Sequence, residues 1–366
     1  MLEDGERKLV TIREISEISP ISNSDFLEVA TVDGWQVVVK KGEFQLGDKC
    51  LYFEIDSAIP AVDPRFDFLK KSCQRTWHDK EIYRIKTVKL RGQISQGLAL
   101  PLSEFPELTK LENGQNIDEL LGVEKWEYEE PNSSHGFGFK IGKTAGDRPD
   151  FIPKTDEERI QNLFKKYQRD YRDVQFAKSL KLDGSSISVA MIKKPEMFIR
   201  FRTEYPHQTE FQQFLVCSRN QLKKDENCSF WEGVKNEQLF EKLSNWPGSL
   251  VVQGELMGPG IQKNREKLTQ CEVFAFRIWF PEQERFATHD EFVQICSLLN
   301  IKTVPQLGIC KPFQECESVQ ELLKQAEISS LNNPTAEGIV FKSVDNIDGE
   351  MIHFKVINNK FLLGEE

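Results

Sequence analysis

The residues of greatest chemical interest form one short segment, Lys181-Leu182-Asp183-Gly184. A lysine amine is nucleophilic only after it loses its proton, and burial near other cations or a metal-bound phosphate lowers its pKa. Asp183 is placed to orient a ribose hydroxyl or a metal-bound water, and Gly184 permits a close turn. A Lys-x-Asp-Gly match arises by chance in roughly one chain in ten of this size. The segment therefore indicates a site only if matching partners follow it.

Five further segments follow between Lys181 and the end of the chain, and each carries a side chain suited to nucleotide transfer. Glu255 and Glu337 suit ribose hydroxyls and a hydrated divalent metal, because hard cations choose oxygen ligands. Phe276 offers a face to a purine, and Lys355 can neutralise an α-phosphate while charge builds up in the transition state. Each residue taken singly is more often structural. The segments, in order, are Ser218-Arg219-Asn220, Gly254-Glu255-Leu256, Phe274-Ala275-Phe276-Arg277-Ile278, Glu337-Gly338-Ile339-Val340 and Phe354-Lys355-Val356-Ile357.

This order of segments resembles the covalent nucleotidyltransferase superfamily, which contains ATP-dependent ligases and mRNA capping enzymes. The resemblance implies that Lys181 becomes covalently bound to the nucleotide. It also implies a divalent metal, Mg²⁺ or Mn²⁺, near Asp183 and Glu337 and held mainly through water. The predicted nucleotide-binding residues are Leu180, Asp183, Gly184, Arg219, Glu255, Phe276, Glu337 and Lys355.

Two positions depart from the superfamily pattern. Ligases often end with Lys-x-Lys, whereas Ile357 stands at the second lysine position. Either Lys355 serves alone, or Lys342 or Lys360 approaches the phosphates. Arg277 replaces an acidic residue that commonly follows the stacking aromatic, and the sequence offers no account of it.

The elements that must position these residues divide into two regions. Residues 1–115 contain short alternating runs at 9–12, 26–32, 35–40, 50–55, 82–90 and 97–102, separated by Gly and Pro, which predicts an OB-like β-barrel that binds nucleic acid. Residues 116–150 are rich in Gly, Pro and Ser and are predicted to be a linker or flexible segment.

Residues 151–366 are predicted to form an α+β nucleotidyltransferase domain with mostly antiparallel sheets, similar to an ATP-grasp arrangement. Capping boxes that begin at Thr155, Thr288 and Ser318 predict three helices. Alternating apolar runs predict strands at 186–192, 198–202, 250–256, 272–278, 339–342 and 353–357.

Charge is unevenly distributed along the chain. The net charge of −10 argues against binding of nucleic acid over the whole surface. From Lys70 to Arg91, however, eight basic residues accompany two acidic ones, and Trp77 and Tyr83 lie among them. Such a stripe suits a nucleic-acid backbone and stacked bases, although an ordinary solvated face has about even odds. The predicted nucleic-acid-binding residues are Lys70, Lys71, Arg75, Arg84, Lys86, Lys89 and Arg91.

Composition limits the other classes of function. No apolar run approaches the ~18 residues that cross a membrane, and the polar first residues do not form a secretory signal. The eight cysteines lack metal-ligand spacing and are expected to be reduced and packed. We therefore expect an intracellular, by default cytoplasmic, location. We also expect a monomer.

The position of the predicted barrel narrows the class further. DNA ligases and capping enzymes carry their OB domain after the last lysine motif, but only residues 356–366 follow Lys355 here and the predicted barrel lies in front. This arrangement resembles the RNA ligase family typified by the Deinococcus and Naegleria enzymes. Matching segments are Val32-Asp33-Gly34-Trp35-Gln36-Val37-Val38-Val39-Lys40, Leu90-Arg91-Gly92-Gln93-Ile94-Ser95-Gln96-Gly97-Leu98, Lys154-Thr155-Asp156-Glu157-Glu158-Arg159-Ile160-Gln161-Asn162 and Gly258-Pro259-Gly260-Ile261-Gln262-Lys263-Asn264.

The resemblance covers nearly the whole chain and implies an ATP-dependent RNA ligase. It implies a lysyl-AMP intermediate, an adenylylated polynucleotide, and a nicked RNA or RNA-containing duplex as substrate in RNA repair. A capping-type guanylyltransferase, a DNA ligase and a non-catalytic RNA-binding protein remain the alternatives. Intact Lys181 and Lys355 argue against the last of these, since a binding protein does not need the nucleophile.

Overall fold

A computed structural model describes residues 2–3, 6–108, 110–127, 140–193, 213–224 and 226–364. The predicted strand at 198–202 lies outside these residues. The eight cysteines are all free thiols, six of them buried, as expected from their spacing. Within the described ranges, no helix is both long and apolar enough to cross a membrane.

The amino-terminal part is built from short antiparallel strands, as the alternating runs predict. Its hydrogen-bonded sheets have the orders β1-β2, β4-β5-β6, β13-β7-β3, β14-β8-β10-β9 and β11-β12, so the described strands do not form one closed ring of hydrogen bonds. The strands are β1 Leu2–Glu3, β2 Glu6–Arg7, β3 Val10–Glu14, β4 Glu17–Pro20, β5 Leu27–Val32, β6 Trp35–Lys40, β7 Lys49–Phe53, β8 Ser57–Pro60, β9 Gln74–Trp77, β10 Lys80–Arg84, β11 Val88–Leu90, β12 Gln93–Ser95, β13 Leu98–Pro101 and β14 Glu124–Lys125. The helices are α1 Lys70–Cys73 and α2 Asp118–Leu121, with 3-10 turns at Pro64–Leu69, Leu102–Glu104 and Pro106–Leu108.

The carboxy-terminal part contains two antiparallel sheets with helices packed against them. A seven-stranded sheet has the order β15-β19-β18-β17-β20-β21-β22, and a four-stranded sheet has the order β23-β16-β24-β25. The strands are β15 Thr144–Asp147, β16 Phe176–Lys181, β17 Ser185–Ile192, β18 Gln213–Cys217, β19 Gln221–Lys223, β20 Leu250–Met257, β21 Glu272–Phe280, β22 Arg285–Phe286, β23 Gln306–Cys310, β24 Gly338–Ser343 and β25 His353–Ile357. The helices are α3 Ile160–Asp170, α4 Ser229–Asn236, α5 Leu239–Ser244, α6 His289–Leu298, α7 Pro312–Glu315, α8 Val319–Gln325 and α9 Asn359–Leu363.

Three apolar clusters hold these layers together. One packs α4, α5 and α6 onto the seven-stranded sheet, and another packs α3, α7 and α8 onto the four-stranded sheet. A smaller cluster contains Leu180 and Leu182 from one side and Met257 and Phe274 from the other, so it joins the two sheets. The chain therefore turns from β16 into β17 directly above a packed junction.

The predicted helix at Thr155 begins five residues later than expected, since α3 starts at Ile160. Residues 153–158 are irregular, and the Thr155 hydroxyl lies 2.6 Å from that of Ser186 instead of capping a helix. The Lys355 amide donates to the carbonyl of Glu158 at 2.9 Å, so this stretch runs beside β25. The capping-box prediction is wrong here because tertiary contacts take the groups that a cap would use.

The other two predicted boxes do mark helix starts. Thr288 and Glu291 form a complete capping box at α6. Ser318 caps α8 by accepting from the Glu321 amide, but the Glu321 carboxylate accepts from the amide of Glu317, so only half of that box forms. Within residues 116–150, β14 joins a sheet of the amino-terminal part and β15 joins the seven-stranded sheet, while 128–139 lie outside the described residues.

The two parts of the chain contact each other through a buried charged cluster. Glu54, fully buried, accepts from Arg7 at 2.7 Å and from Arg13 at 2.5 Å. Burial alone raises the pKa of this carboxyl, but neighbouring positive charges, Arg13 first among them and Arg7 with a smaller contribution, outweigh burial and hold the pKa at about 2. Asn162 of α3 donates to Glu54 at 3.0 Å and accepts from the Trp35 indole at 3.1 Å. Side chains of both parts therefore share one hydrogen-bond network.

Candidate active site

A cleft of about 600 Å³ brings together most of the residues that the sequence singles out. It lies where β16, β17, β20, β21 and β25 meet. Predicted residues that line it are Lys181, Gly184, Arg219, Glu255, Phe276 and Lys355. The other lining residues are Ile141, Thr155, Asp156, Glu157, Ser185, Ser186, Phe230, Ile261 and Gln262.

Lys181 is the last residue of β16 and is ion-paired in this structure. Its strand partner is Gly338, so the preceding Glu337 comes to the same end of the sheet. The Lys181 Nζ donates to the Glu337 Oε2 at 2.7 Å. Burial lowers the pKa of Lys181, but the carboxylates of Glu337 and Glu255 outweigh burial and raise the pKa above its ordinary value. The lowered pKa expected for a nucleophile is therefore not present in the free protein, because acidic side chains surround the amine.

The carboxylates around Lys181 are themselves crowded. Burial raises the pKa of Glu255 to about 8, and the charges of Glu337 and Asp183 add to this rise while Lys181 opposes it. Burial and Glu337 likewise raise the pKa of Asp183, whose carboxylate lies 3.3 Å from the Nε of Arg265. Carboxylates this close repel one another when ionised, and a bound cation would relieve that repulsion.

Lys355 projects from β25 into the same cleft. Burial lowers its pKa to about 8, and the positive charges of Lys181 and Arg159 contribute to that shift. Arg159 lies beside it because the two residues form a parallel β-bridge. The cleft thus places a cationic patch next to an acidic one.

Phe276 occupies an irregular position in β21. Gly254 pairs with Ala275 while Gln253 pairs with Arg277, so Phe276 is the extra residue of a β-bulge. A bulge redirects side chains locally, and Phe276 is half-buried at the cleft wall while its neighbours are buried. The structure therefore gives the ring one open face.

The structure accounts for both departures from the superfamily pattern. The Lys342 Nζ donates to the Phe276 carbonyl at 2.8 Å and lies 4.9 Å from the centre of its ring, so it supports the aromatic and does not line the cleft. Lys360 is ion-paired with Glu327 at 2.7 Å. Lys355 is thus the lysine of the three that reaches the cleft.

Arg277 faces away from the cleft and braces the irregular stretch before α3. It is buried, and its Nε donates to Gln253 at 2.7 Å. Its guanidinium also donates to the carbonyl of Lys154 and lies 4.0 Å from Glu157. An acidic residue at this position would meet the Glu157 carboxylate, whereas arginine pairs with it.

Some predicted residues have surroundings that differ from those expected, and some residues that line the cleft are not among those predicted. Leu180 packs in the cluster between the sheets and does not line the cleft. Arg219 lines it and pairs with Asp156 at 2.5 Å. The sequence predicts that Asp156 and Glu157 lie within a helix cap, but they line the cleft because the helix starts later, at Ile160.

Gly184 faces the backbone of β20 so closely that a side chain has no room. A Cβ atom there would lie 2.5 Å from the carbonyl oxygen of Leu256 and 2.8 Å from the Cγ of Glu255. Since a backbone oxygen cannot rotate aside, the turn after Lys181 would have to move.

We expect Gly184→Ala to lower the rate of nucleotide transfer to Lys181 by on the order of 10²-fold, because misplacement by about 1 Å has that effect on a reacting group. Single-turnover adenylylation measures it. Gly248→Ala is the matched control, since a Cβ there meets no atom closer than 3.6 Å. Equal rates in the two variants would contradict this interpretation of the turn.

The predicted nucleic-acid-binding stripe lies in the amino-terminal part, outside the cleft. Arg84 is half-buried, stacks 3.3 Å from the centre of the Trp126 ring and pairs with Asp56 at 3.1 Å. Tyr83 is buried and its hydroxyl donates to Asp67 at 3.2 Å, so the expectation that Tyr83 stacks on a base is wrong; strand alternation turns it into the core. The exposed basic residues of the stripe are Lys70, Lys71, Arg75, Lys80, Lys86, Lys89 and Arg91.

Comparisons with known proteins agree with the fold. The chain belongs to the RNA ligase family, whose family model matches residues 174–357. A family model of an OB-fold domain matches residues 9–102. The predicted class, an RNA ligase with an amino-terminal OB-fold domain, is therefore confirmed.

Solved structures of Naegleria gruberi RNA ligase are similar over nearly the whole chain. The structure with pyrophosphate has a TM-score of 0.76 at 34% identity and covers 98% of this chain and 98% of that chain. A mutant with AMP and Mn and another with ATP and Mn each have a TM-score of 0.78 at 33% identity, covering 98% of this chain and 99% of theirs. No curated protein matches the sequence.

Proposed function

We propose that the protein joins a 3′-hydroxyl end to a 5′-phosphate end of RNA at the expense of ATP, at nicks in a duplex, as in RNA repair. The observation that carries the proposal is the cleft in which Lys181, Glu255, Phe276 and Lys355 converge from four strands. We also propose that the protein acts as a monomer.

In the first proposed step, Lys181 attacks the α-phosphorus of ATP in line, a Lys181–AMP bond forms and pyrophosphate leaves. The Lys181 Nζ must lose a proton beforehand, and the Glu337 carboxylate at 2.7 Å is the group placed to receive it. Phe276 supports the purine, and Lys355 neutralises charge on the transferring phosphoryl group.

In the second step, the RNA 5′-phosphate attacks the Lys181 adduct, which releases the lysine and produces a 5′-5′ adenylylated end. In the third, the neighbouring 3′-hydroxyl attacks that end and AMP leaves. Lys181 takes no covalent part in the third step, although its cleft still holds the AMP.

The carboxylates around Lys181 suit a divalent cation. Asp183 and Glu255 offer hard oxygen donors, and their raised pKa values indicate repulsion that positive charge would relieve. No three His, Cys, Asp or Glu side chains in the described ranges lie close enough to bind one ion directly, so we propose that Asp183 and Glu337 hold it through water. Mg²⁺ or Mn²⁺, when bound, supplies charge that stabilises the transferring phosphoryl group. The same charge would oppose the effect of Glu337 and Glu255 on the Lys181 pKa.

We propose that the OB-fold region contributes to binding of the polynucleotide through the exposed basic residues of its stripe between Lys70 and Arg91. Deletion of residues 1–115 would test this, but it would also uncover Asn162 and remove Glu54 from the shared network. Point changes are therefore cleaner.

We expect the triple variant Lys70→Ala, Lys71→Ala, Arg75→Ala to seal nicked RNA more slowly and with weaker dependence on salt. Three lost phosphate contacts on a duplex should lower the slope of log affinity against log salt by roughly 3. Sealing of a nicked RNA duplex by wild type and variant, over a salt series, measures this. An unchanged slope would refute the role of these three residues, and absence of any joined product from wild type would refute the proposed ligation.

A further inference from the structure

A second cleft, of about 500 Å³, lies between the OB-fold region and helix α3, and the proposed mechanism does not use it. Arg13, Ser16, Thr31 and Asp33 line it on one side. Helices α3 and α8 line it on the other, through residues that include Gln161, Lys166 and Arg169. We call it the interdomain cleft.

The walls of the interdomain cleft are tied to each other. The Lys165 Nζ donates to the Asp33 Oδ1 across the cleft at 2.6 Å, and Asn162 bonds both Trp35 and Glu54. Gly34 packs against Val319 so closely that a Cβ there would lie 2.8 Å from it. The shape of this cleft is thus set by contacts on both sides.

Gln161 is an unusual residue in this wall. Its side chain is 5% exposed, and neither the amide oxygen nor the amide nitrogen has a hydrogen-bond partner among the described residues. Buried amides are normally satisfied, and an unsatisfied one costs about 1–3 kcal/mol. A side chain kept in this state at a cleft wall is suited to a ligand group that both donates and accepts.

The α3 side of the interdomain cleft is cationic, whereas Glu17 and Asp33 are acidic residues of the opposite side. Lys166 and Arg169 are exposed on α3, and a neighbouring groove of about 440 Å³ shares Lys165 and Arg169 and continues to Arg172. Arg169 already pairs with Asp170 at 2.6 Å, but the pair is surface-exposed and worth little, so a phosphate can share the guanidinium. From Gln161 to Arg169 the helix rises about 12 Å. A nucleic-acid strand advances ~3.4 Å per nucleotide, so roughly three nucleotides fit along this stretch of α3.

We propose that the interdomain cleft binds the ribose–phosphate backbone of the RNA substrate, with Lys166 and Arg169 on phosphates and the Gln161 amide on a ribose 2′-hydroxyl. A 2′-hydroxyl both donates and accepts, as the Gln161 amide does, and it is the group that distinguishes RNA from DNA. The inference rests on the proposed function, since it assigns part of the RNA-binding surface. It adds a contact to the ribose that is separate from the cleft around Lys181.

Two variants separate the sugar contact from the phosphate contacts. Gln161→Leu keeps the side-chain volume and removes the amide. The probes are a short fluorescent RNA strand and the 2′-deoxy strand of the same sequence. We expect the preference of the protein for the RNA strand to fall roughly three- to tenfold in this variant. We expect Lys166→Ala with Arg169→Ala to weaken both strands alike and to lower the salt slope by about 1.4. The matched control, Lys41→Ala with Lys110→Ala, removes two exposed lysines outside the cleft and should leave the RNA preference and the salt slope at their wild-type values.

Fluorescence anisotropy titrations measure these affinities, and thermal unfolding of Gln161→Leu tests a purely structural role. A melting temperature equal to or above that of wild type, because leucine removes an unsatisfied buried amide, together with a smaller RNA preference supports the proposal. An RNA preference equal to that of wild type overturns the sugar contact, and a salt slope in the α3 double variant equal to that of its control overturns the phosphate contacts. Transfer of AMP to wild-type protein is measured in parallel, so failure of the proposed function appears as loss of that transfer and failure of this inference appears only in RNA binding.

Discussion

Replacement of Lys355 by alanine is expected to lower the rate of AMP transfer to Lys181 by about 10²- to 10³-fold. Removal of one preorganised donor from a site of developing negative charge has an effect of that size. Lys355 is suited to such a role because β25 holds it in the cleft and burial leaves its positive charge poorly solvated. Single-turnover transfer of labelled AMP at saturating ATP measures the change.

The pH dependence of the same reaction gives a second check on Lys355. Its pKa in the free protein is lowered to about 8, so it is cationic below that pH and becomes neutral as the pH rises through it. Affinity of the free protein for ATP should therefore fall above about pH 8. The Glu255 carboxyl, whose pKa is also raised to about 8, becomes anionic over the same range and adds to the fall, so Lys355→Ala should show a smaller fall than wild type.

Lys360→Ala is the matched control, because Lys360 is ion-paired with Glu327 outside the cleft. Rates for Lys355→Ala within a few fold of this control would show that Lys355 does not stabilise the transition state. Another residue would then have to supply the positive charge, since Ile357 stands at the second lysine position.

Much of the fold is readable from the sequence because strand alternation is a local signal. The predicted run 353–357 coincides with β25, and the predicted run 186–192 differs from β17 by one residue. The site motifs lie at the ends or within such strands, so their order along the chain predicts their convergence. Lys181, Glu255, Phe276 and Lys355 line one cleft as a result.

Other features depend on distant contacts and could not be read in this way. Thr155 has the sequence of a helix cap, but its hydroxyl bonds Ser186, so the helix starts later. The raised pKa of Lys181 comes from carboxylates that are remote in sequence, Glu255 and Glu337. Arg277 became understandable only once Glu157 and the Lys154 carbonyl were seen beside it.

Replacement of Lys181 by alanine is expected to abolish AMP transfer altogether, since no other amine can substitute for the attacking atom. Lys355 also lines the cleft, but it lies on a different strand, where we assign it to the phosphate. Because acidic neighbours raise the pKa of Lys181, it is protonated in the free protein at neutral pH. The rate of transfer in wild type should therefore increase with pH until the loss of charge on Lys355 opposes it.

Covalent label transfer from α-labelled ATP tests the central claim most directly. Wild type should retain AMP after denaturation, on the peptide that contains Lys181, and should not retain GMP from α-labelled GTP. Lys178→Ala, three residues earlier on the same strand and outside the cleft, should retain AMP as wild type does. Lys181→Ala should retain none, and AMP bound covalently to that variant would contradict the account.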